Sequence, residues 1–119
     1  MEELDYESDL FEDIVAKDSR YAARAYALLM DVVHYLGKDN RHMTGADIMD
    51  EFRERTLDLF GPLSYTVLTE WGVKCTEDIG EMMFNLVDTR RIRKDENDNP
   101  EDFSAGYDFK EAFLDPYQA

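Results

Sequence analysis

The sequence predicts a mainly helical α+β fold that closes with a C-terminal β-hairpin, in a winged-helix-like arrangement. Five segments before residue 91 place apolar residues three and four positions apart, which is the spacing of an amphipathic helix. Residues 91–95 and 106–109 then alternate polar and apolar side chains on either side of an acidic run, as the strands of a short hairpin do. A helical bundle with a terminal two-stranded ribbon is the alternative fold.

The first two predicted helices occupy the N-terminal third of the chain. Ser8 or Asp9 can cap the first helix, and Asp18 or Ser19 can cap a longer second helix that stops at Gly37. The apolar stripe of the first helix consists of Leu10, Phe11, Ile14 and Val15. That of the second consists of Ala22, Ala25, Tyr26, Leu29, Val32, Val33 and Leu36. The second segment is the clearest amphipathic helix in the sequence.

Two further helices follow a polar turn. Thr44 and Asp47 have the spacing of a capping box at the start of the third helix, which ends at Gly61. Pro62 then begins a short fourth helix that ends before Gly72. The predicted buried face of the third helix consists of Ile48, Met49, Phe52, Thr56, Leu59 and Phe60, and that of the fourth of Leu63, Val67, Leu68 and Trp71. We expect the tryptophan to be largely buried.

The fifth predicted helix extends from its cap at Thr76 to Arg90. Its apolar stripe consists of Ile79, Met82, Met83, Leu86 and Val87. Gly80 lies inside this helix, where it costs about 1 kcal/mol relative to alanine. We therefore expect another helix to approach the chain closely at Gly80.

The acidic run between the two predicted strands, Asp95 to Asp102, starts like a calcium-binding loop. Pro100 stands where such a loop needs a glycine, and Gly106 stands where it needs a bidentate carboxylate. Asn, Asp and Pro are also the residues that favour turns. We therefore interpret the run as the tip of the hairpin, and the sequence predicts no metal and no other cofactor.

The 119 residues predict one domain, with its core at about residues 9–114 and with residues 1–7 loosely ordered. Phe113, Leu114 and Tyr117 predict that the C-terminal tail docks on the body of the domain. A single cysteine excludes an internal disulfide, and the acidic N-terminus lacks the pattern of a signal peptide. No apolar run approaches the roughly 20 residues that a membrane helix needs. The sequence therefore predicts a cytoplasmic protein.

Charge is the most informative property for function. The chain has 28 acidic and 13 basic residues, so its net charge is −15. Such a charge repels phosphate backbones and anionic lipid and attracts cationic partners. The sequence favours a basic protein surface as partner, leaves a homodimer open, and argues against nucleic acid and membrane.

The predicted recognition helix, residues 76–90, and the start of the hairpin form the candidate interaction surface. It comprises Glu81, Asn85, Asp88, Arg90, Arg91, Arg93 and Lys94. Acids on this helix and on the predicted wing would repel DNA, and its basic residues have acidic neighbours such as Asp108. The predicted function is an acidic protein-interaction or scaffolding module. A DNA-binding transcriptional regulator is the alternative.

The third hypothesis is an enzyme whose catalytic site is formed by paired carboxylates or by Cys75. Cys75 precedes a predicted helix N-terminus, a place that lowers the pKa of a thiol, but no second cysteine accompanies it. His34 and His42 are too far apart for a metal site unless the fold joins them. The sequence therefore does not predict an enzyme.

Six segments of the chain form a recognisable set: DSRYAARAY, RHMTGADIMDEF, LFGPL, TEWGV, EDIGEMMFNLV and DFSAGYDF. As a set they resemble an uncharacterised, conserved hypothetical family of short bacterial proteins. The resemblance extends from about Phe11 to Phe113. It implies one conserved fold, and it implies no activity, cofactor or site.

Overall fold

The computed structural model describes residues 11–38, 44–92, 100–104 and 106–118. The regular structure of these residues is helical. The α-helices are α1 (Glu12–Lys17), α2 (Ala23–Gly37), α3 (Gly45–Phe60), α4 (Ser64–Glu70), α5 (Thr76–Asp88) and α6 (Phe109–Phe113). Short 3-10 helices cover Gly61–Leu63, Pro100–Phe103 and Asp115–Tyr117.

None of the described residues lies in a strand. The predicted C-terminal hairpin is therefore wrong for these residues. The winged-helix arrangement and the alternative two-stranded ribbon, which both depend on it, are wrong as well. Residues 93–99, which hold most of the first predicted strand and of the acidic run, lie outside them. The second predicted strand is irregular up to Asp108, whose carboxylate accepts a hydrogen bond from the backbone N–H of Glu111 at 3.1 Å and caps α6. An alternation of four residues was too short to distinguish a strand from a capped helix start.

The core lies where α2, α3 and α5 pack against one another, and most of its side chains from these helices lie on the predicted apolar stripes. Leu28 of α2 is buried although the stripe did not include it. Fully buried members include Tyr26, Leu29, Val32, Ile48, Phe52, Ile79, Met82 and Leu86. The six-residue α1 adds Ile14, and α4 adds Leu68. Burial of these apolar faces stabilises helices that are too short to be stable alone in water.

The start of α3 is as predicted, whereas α2 starts later than predicted. Thr44 Oγ1 accepts a hydrogen bond from the Asp47 N–H, and the Asp47 carboxylate accepts one from the Thr44 N–H, both at 3.1 Å. This capping box is therefore confirmed. The Asp18 carboxylate does not cap α2, because it binds Arg20 and Asn85, and the helix begins only at residue 23.

The C-terminal segment docks across α3 and α5, as the burial of Phe113 requires. Thr76 Oγ1 donates a hydrogen bond to the carbonyl of Phe103 at 2.6 Å, and the Tyr107 hydroxyl donates one to the carbonyl of Met49 at 2.8 Å. A Cβ atom at Gly80 would lie 3.0 Å from the Phe103 side chain. The expected close approach at this glycine is confirmed, but the neighbour is a 3-10 turn and not an α-helix.

Candidate functional site

The predicted interaction surface on α5 is bound to α1 and to the turn that follows α1. Three ion pairs join the two segments: Glu81 with Arg20 at 3.3 Å, Arg91 with Asp13 at 2.5 Å, and Asp88 with Lys17. The Arg91 guanidinium also lies over the ring of Phe11, 5.4 Å from its centroid. These side chains therefore contact the protein's own N-terminal helix and the turn that follows it.

Asn85, which the sequence placed on the outer face, is 8% exposed. Its amide donates one hydrogen bond to the Tyr26 hydroxyl at 2.9 Å and one to the Asp18 carboxylate at 3.0 Å. Arg20 donates to the same carboxylate from Nε and from a terminal guanidinium nitrogen, at 2.9 and 2.7 Å. The hydrogen bond with Arg20 holds the pKa of Asp18 well below its usual range. Asn85 thus connects α5 to the α1–α2 turn and does not face a partner.

The remaining residues of the predicted surface follow α5. Arg90 is exposed and has a positive φ of 62°, so the chain turns away from the helix axis at this residue. Arg93 and Lys94 lie outside the described residues. The described part of the predicted surface is therefore not the acidic face of the protein.

The acidic face lies on α3. Asp47, Asp50, Glu54 and Asp58 are all exposed and follow one another at three- and four-residue intervals. They form a stripe about 16.5 Å long, at 1.5 Å per residue. Asp47 takes part in the capping box. No described residue forms an ion pair with any of the other three.

The basic residues of α3 contact neighbouring side chains. The Arg55 guanidinium pairs with Glu51 at 3.2 Å and lies over the ring of Tyr35, 5.2 Å from its centroid. The Arg53 guanidinium lies over the ring of Tyr107, at 5.6 Å. Neither guanidinium group forms an ion pair with Asp50, Glu54 or Asp58. Further exposed carboxylates on the adjacent C-terminal segment are those of Asp102, Asp108, Glu111 and Asp115.

An open apolar cleft of about 190 Å³ lies between α2, the end of α3 and the end of α4. Trp71 and Phe60 line it and pack edge to face, with their ring centroids 5.5 Å apart. The Leu59 side chain, also in the lining, is 61% exposed, and Leu63 beyond it is 63% exposed. The sequence predicted these leucines and Trp71 as core residues, and for the two leucines that prediction is wrong. Trp71 is only partly buried.

Cys75 lies in an environment opposite to the predicted one. Burial raises the pKa of its thiol, and the thiol donates a hydrogen bond to Asp78 Oδ2 at 3.4 Å. The same carboxylate accepts hydrogen bonds from the Tyr21 hydroxyl at 2.6 Å and from the Lys74 backbone N–H at 2.9 Å. A protonated thiol is a poor nucleophile, so nothing here favours catalysis at this cysteine.

No metal centre is formed by the residues that the structure describes. Among them, no three His, Cys, Asp or Glu side chains converge in a way that could hold an ion. His34 is exposed on α2, and His42 lies outside the described ranges. None of the described helices combines the length and the apolar character needed to cross a bilayer.

Comparison with protein-family models, with curated proteins and with solved structures finds no match for the chain. The resemblance to short bacterial proteins therefore stays a prediction. Two surfaces of the described residues are candidates for function: the acidic stripe of α3 and the apolar cleft.

Proposed function

We propose that the protein is an acidic protein-interaction module that binds a basic segment of a partner protein along the outer face of α3. The observation that carries this proposal is the stripe of exposed and unpaired carboxylates formed by Asp50, Glu54 and Asp58. The proposal keeps the partner class that the net charge favours and assigns it to a surface different from the one predicted on α5.

The like-charge contacts within the stripe do not stabilise the helix that bears it. Asp50 and Glu54 are four residues apart, as are Glu54 and Asp58, and each such like-charge pair destabilises a helix by about 0.2–0.5 kcal/mol. A basic partner removes this repulsion when it binds. The acids therefore gain more from a cationic ligand than isolated surface carboxylates do.

The spacing of the carboxylates defines the chemistry of the partner. Successive acids lie about 6 Å apart along the α3 axis, which is the axial spacing of residues i and i+4 in another helix. A helix with lysine or arginine at every fourth position can therefore match all three acids. The net charge of −15 adds a long-range attraction that raises the association rate and weakens with salt.

The test is the binding of a fluorescent helical peptide with lysine at every fourth position, measured by fluorescence anisotropy at low and at physiological salt. The decisive variant is Asp50→Lys/Glu54→Lys/Asp58→Lys. The matched control is Glu12→Lys/Glu70→Lys/Glu77→Lys, which changes the net charge equally at exposed acids of α1, α4 and α5. We expect the stripe variant to lose binding at least tenfold more than the control does.

Equal losses in the two variants would show that only net charge matters and would refute α3 as the binding face. Random-sequence duplex DNA is the second ligand, and we expect no binding to it, because the acidic field repels phosphates. Tight binding of the duplex at low salt would contradict the proposal and favour a nucleic-acid partner.

A further inference from the structure

The wall that α2 contributes to the apolar cleft is self-complementary. It consists of Arg24, Ala27, Leu28 and Asp31, spaced i, i+3, i+4 and i+7. These four positions lie on one face of a helix. The two central residues are apolar: Ala27 is partly exposed, whereas Leu28 is only 5% exposed and belongs to the core. The two outer residues are exposed and carry opposite charges. Neither outer residue forms an ion pair with another described residue.

We propose that this wall is the contact between two copies of the chain, which dock with their α2 helices antiparallel about a two-fold axis between Ala27 and Leu28. A two-fold axis there places each Arg24 opposite the partner's Asp31, because both lie the same distance from the axis. In an isologous contact each pairing occurs twice. Two ion pairs therefore flank a small apolar centre that the partly exposed Ala27 of each copy forms.

The charges select this arrangement over the alternatives. In a parallel pair, Arg24 would face the partner's Arg24 and Asp31 the partner's Asp31, and both contacts would repel. An antiparallel pair centred on Asp31 would oppose the two aspartates directly. Only the axis between residues 27 and 28 brings unlike charges together at both ends of the wall.

Apolar surface beside the wall supplies the attraction that two surface ion pairs cannot, since such pairs contribute only about 0–1 kcal/mol each. The exposed Leu59 and the half-buried Trp71 line the same cleft. The alanine at the centre of the wall is small, so the two α2 axes can approach to the 8–10 Å of packed helices. Both copies then remove these side chains from water.

Net charge opposes the dimer and gives it a diagnostic salt dependence. Two chains of −15 repel at long range, and salt shortens that repulsion to about 8 Å at physiological ionic strength. The dimer is therefore expected to tighten between low and physiological salt, whereas binding of a basic segment to α3 weakens. The two proposals use different surfaces, so either can fail alone.

The test is sedimentation velocity of the full chain at concentrations from micromolar to near-millimolar. We expect a dimer for the wild type, monomers for Arg24→Asp and for Asp31→Arg alone, and a dimer again for Arg24→Asp/Asp31→Arg. An equimolar mixture of the two single variants is the sharpest arm. Arg24→Asp has an acid at both positions 24 and 31, whereas Asp31→Arg has a base at both. Two copies of the same variant repel each other at these positions, so the ion pairs can form only in a heterodimer of the two variants.

Matched controls separate the wall from general charge effects. Lys110→Asp changes the net charge as Arg24→Asp does, and Glu77→Arg changes it as Asp31→Arg does, each at an exposed residue outside the cleft. We expect both controls to remain dimers. A monomeric wild type, single variants that dimerise as the wild type does, or a mixture that stays monomeric would each overturn the proposal. Circular dichroism confirms that every variant is folded.

Discussion

At the scale of single residues, Gly72 carries the turn between α4 and α5. Its φ is 88°, and a Cβ atom there would lie 2.0 Å from the carbonyl oxygen of Arg20. The replacement Gly72→Ala adds an unfavourable backbone conformation to a clash with main chain, which cannot move as a flexible side chain can. We expect it to lower the free energy of unfolding by more than about 2 kcal/mol, measured by urea denaturation.

Gly37→Ala is the matched control for this prediction. Gly37 is the last residue of α2, and outside its own helix and the adjoining residue no atom of the described residues lies within 4 Å of the Cβ position. Alanine is favoured over glycine in a helix by up to about 1 kcal/mol, so this variant should be neutral or more stable. Similar losses in the two variants would contradict the role assigned to residue 72.

Asp18 predicts a specific pH dependence of stability. Its pKa in the folded protein is held below the usual value of 3.8, chiefly by the hydrogen bond with Arg20. A depressed pKa stabilises the fold above the unfolded-state value and loses that contribution as the pH falls below it. We expect Asp18→Asn to destabilise the protein at neutral pH by about 1–3 kcal/mol, because the charged hydrogen bonds are lost.

The dependence of the unfolding free energy on acidic pH is a second measurement of the role of Asp18. Between about pH 4 and pH 2, the unfolding free energy of the wild type should fall more steeply than that of Asp18→Asn, which has no carboxylate to protonate there. Glu77→Gln, at an exposed acid, controls for the removal of one charge at neutral pH. Parallel pH profiles for the wild type and Asp18→Asn would refute this assignment.

Residue-level predictions succeeded where the partners were close in sequence. Thr44 and Asp47 are three residues apart, and their capping box was predictable from the spacing of the two residues alone. Asp18 has the same cap-forming chemistry, but one of its partners is Asn85, 67 residues away. A contact at that separation depends on how α5 packs, which local spacing does not encode.

At the scale of elements, α1 is attached to the body by apolar contacts more than by its ion pairs. Ile14 is 1% exposed, whereas the Lys17–Asp88 pair is exposed on both sides. We expect Ile14→Ala to cost about 2–5 kcal/mol and Lys17→Ala less than about 1 kcal/mol in urea denaturation. If Lys17→Ala were as destabilising as Ile14→Ala, the ion pairs would dominate this attachment.

Helical periodicity predicted the buried faces of α2, α3 and α5 because each helix is long enough for a three-to-four repeat to be unmistakable. The repeat does not reveal how far a neighbouring helix extends along the apolar face, and so which apolar residues it covers. Leu59 continues the apolar pattern of α3 but is left exposed beside the cleft. The apolar cleft was therefore not predicted from the sequence, although its leucines and tryptophan were identified as apolar.

At the scale of the whole molecule, the sequence determines the net charge of −15 but not where the charge lies. The fold distributes this charge unevenly over the surface of the described residues. Lys17 and Arg20 pair with Asp88 and Glu81 of α5, and Arg91 pairs with Asp13 of α1. On α3, Asp50, Glu54 and Asp58 are exposed and form no ion pair with a described residue. The interaction surface was predicted on α5 because a winged-helix arrangement was expected. The described residues contain no strand, and Glu81 and Asp88 of that surface pair with Arg20 and Lys17 instead.

A single substitution in the α3 stripe separates stability from binding. Glu54→Lys replaces two repulsive contacts, with Asp50 and with Asp58, by two attractive ones at the same helical spacing. It also reduces the net negative charge, which weakens the self-repulsion of the folded chain. We therefore expect the free energy of unfolding to rise by about 1 kcal/mol at low salt and the gain to shrink as salt screens the charges.

The same variant should bind the lysine-rich peptide less tightly than the wild type, since a cation now stands at the centre of the acidic stripe. A more stable protein with weaker binding is the signature of a surface kept for a partner at the expense of the fold. Glu77→Lys provides the comparison at an exposed acid outside the stripe, and we expect its peptide affinity to stay close to that of the wild type. If Glu54→Lys gained stability with unchanged affinity, α3 would be an ordinary solvated face and the basic partner would have to bind elsewhere.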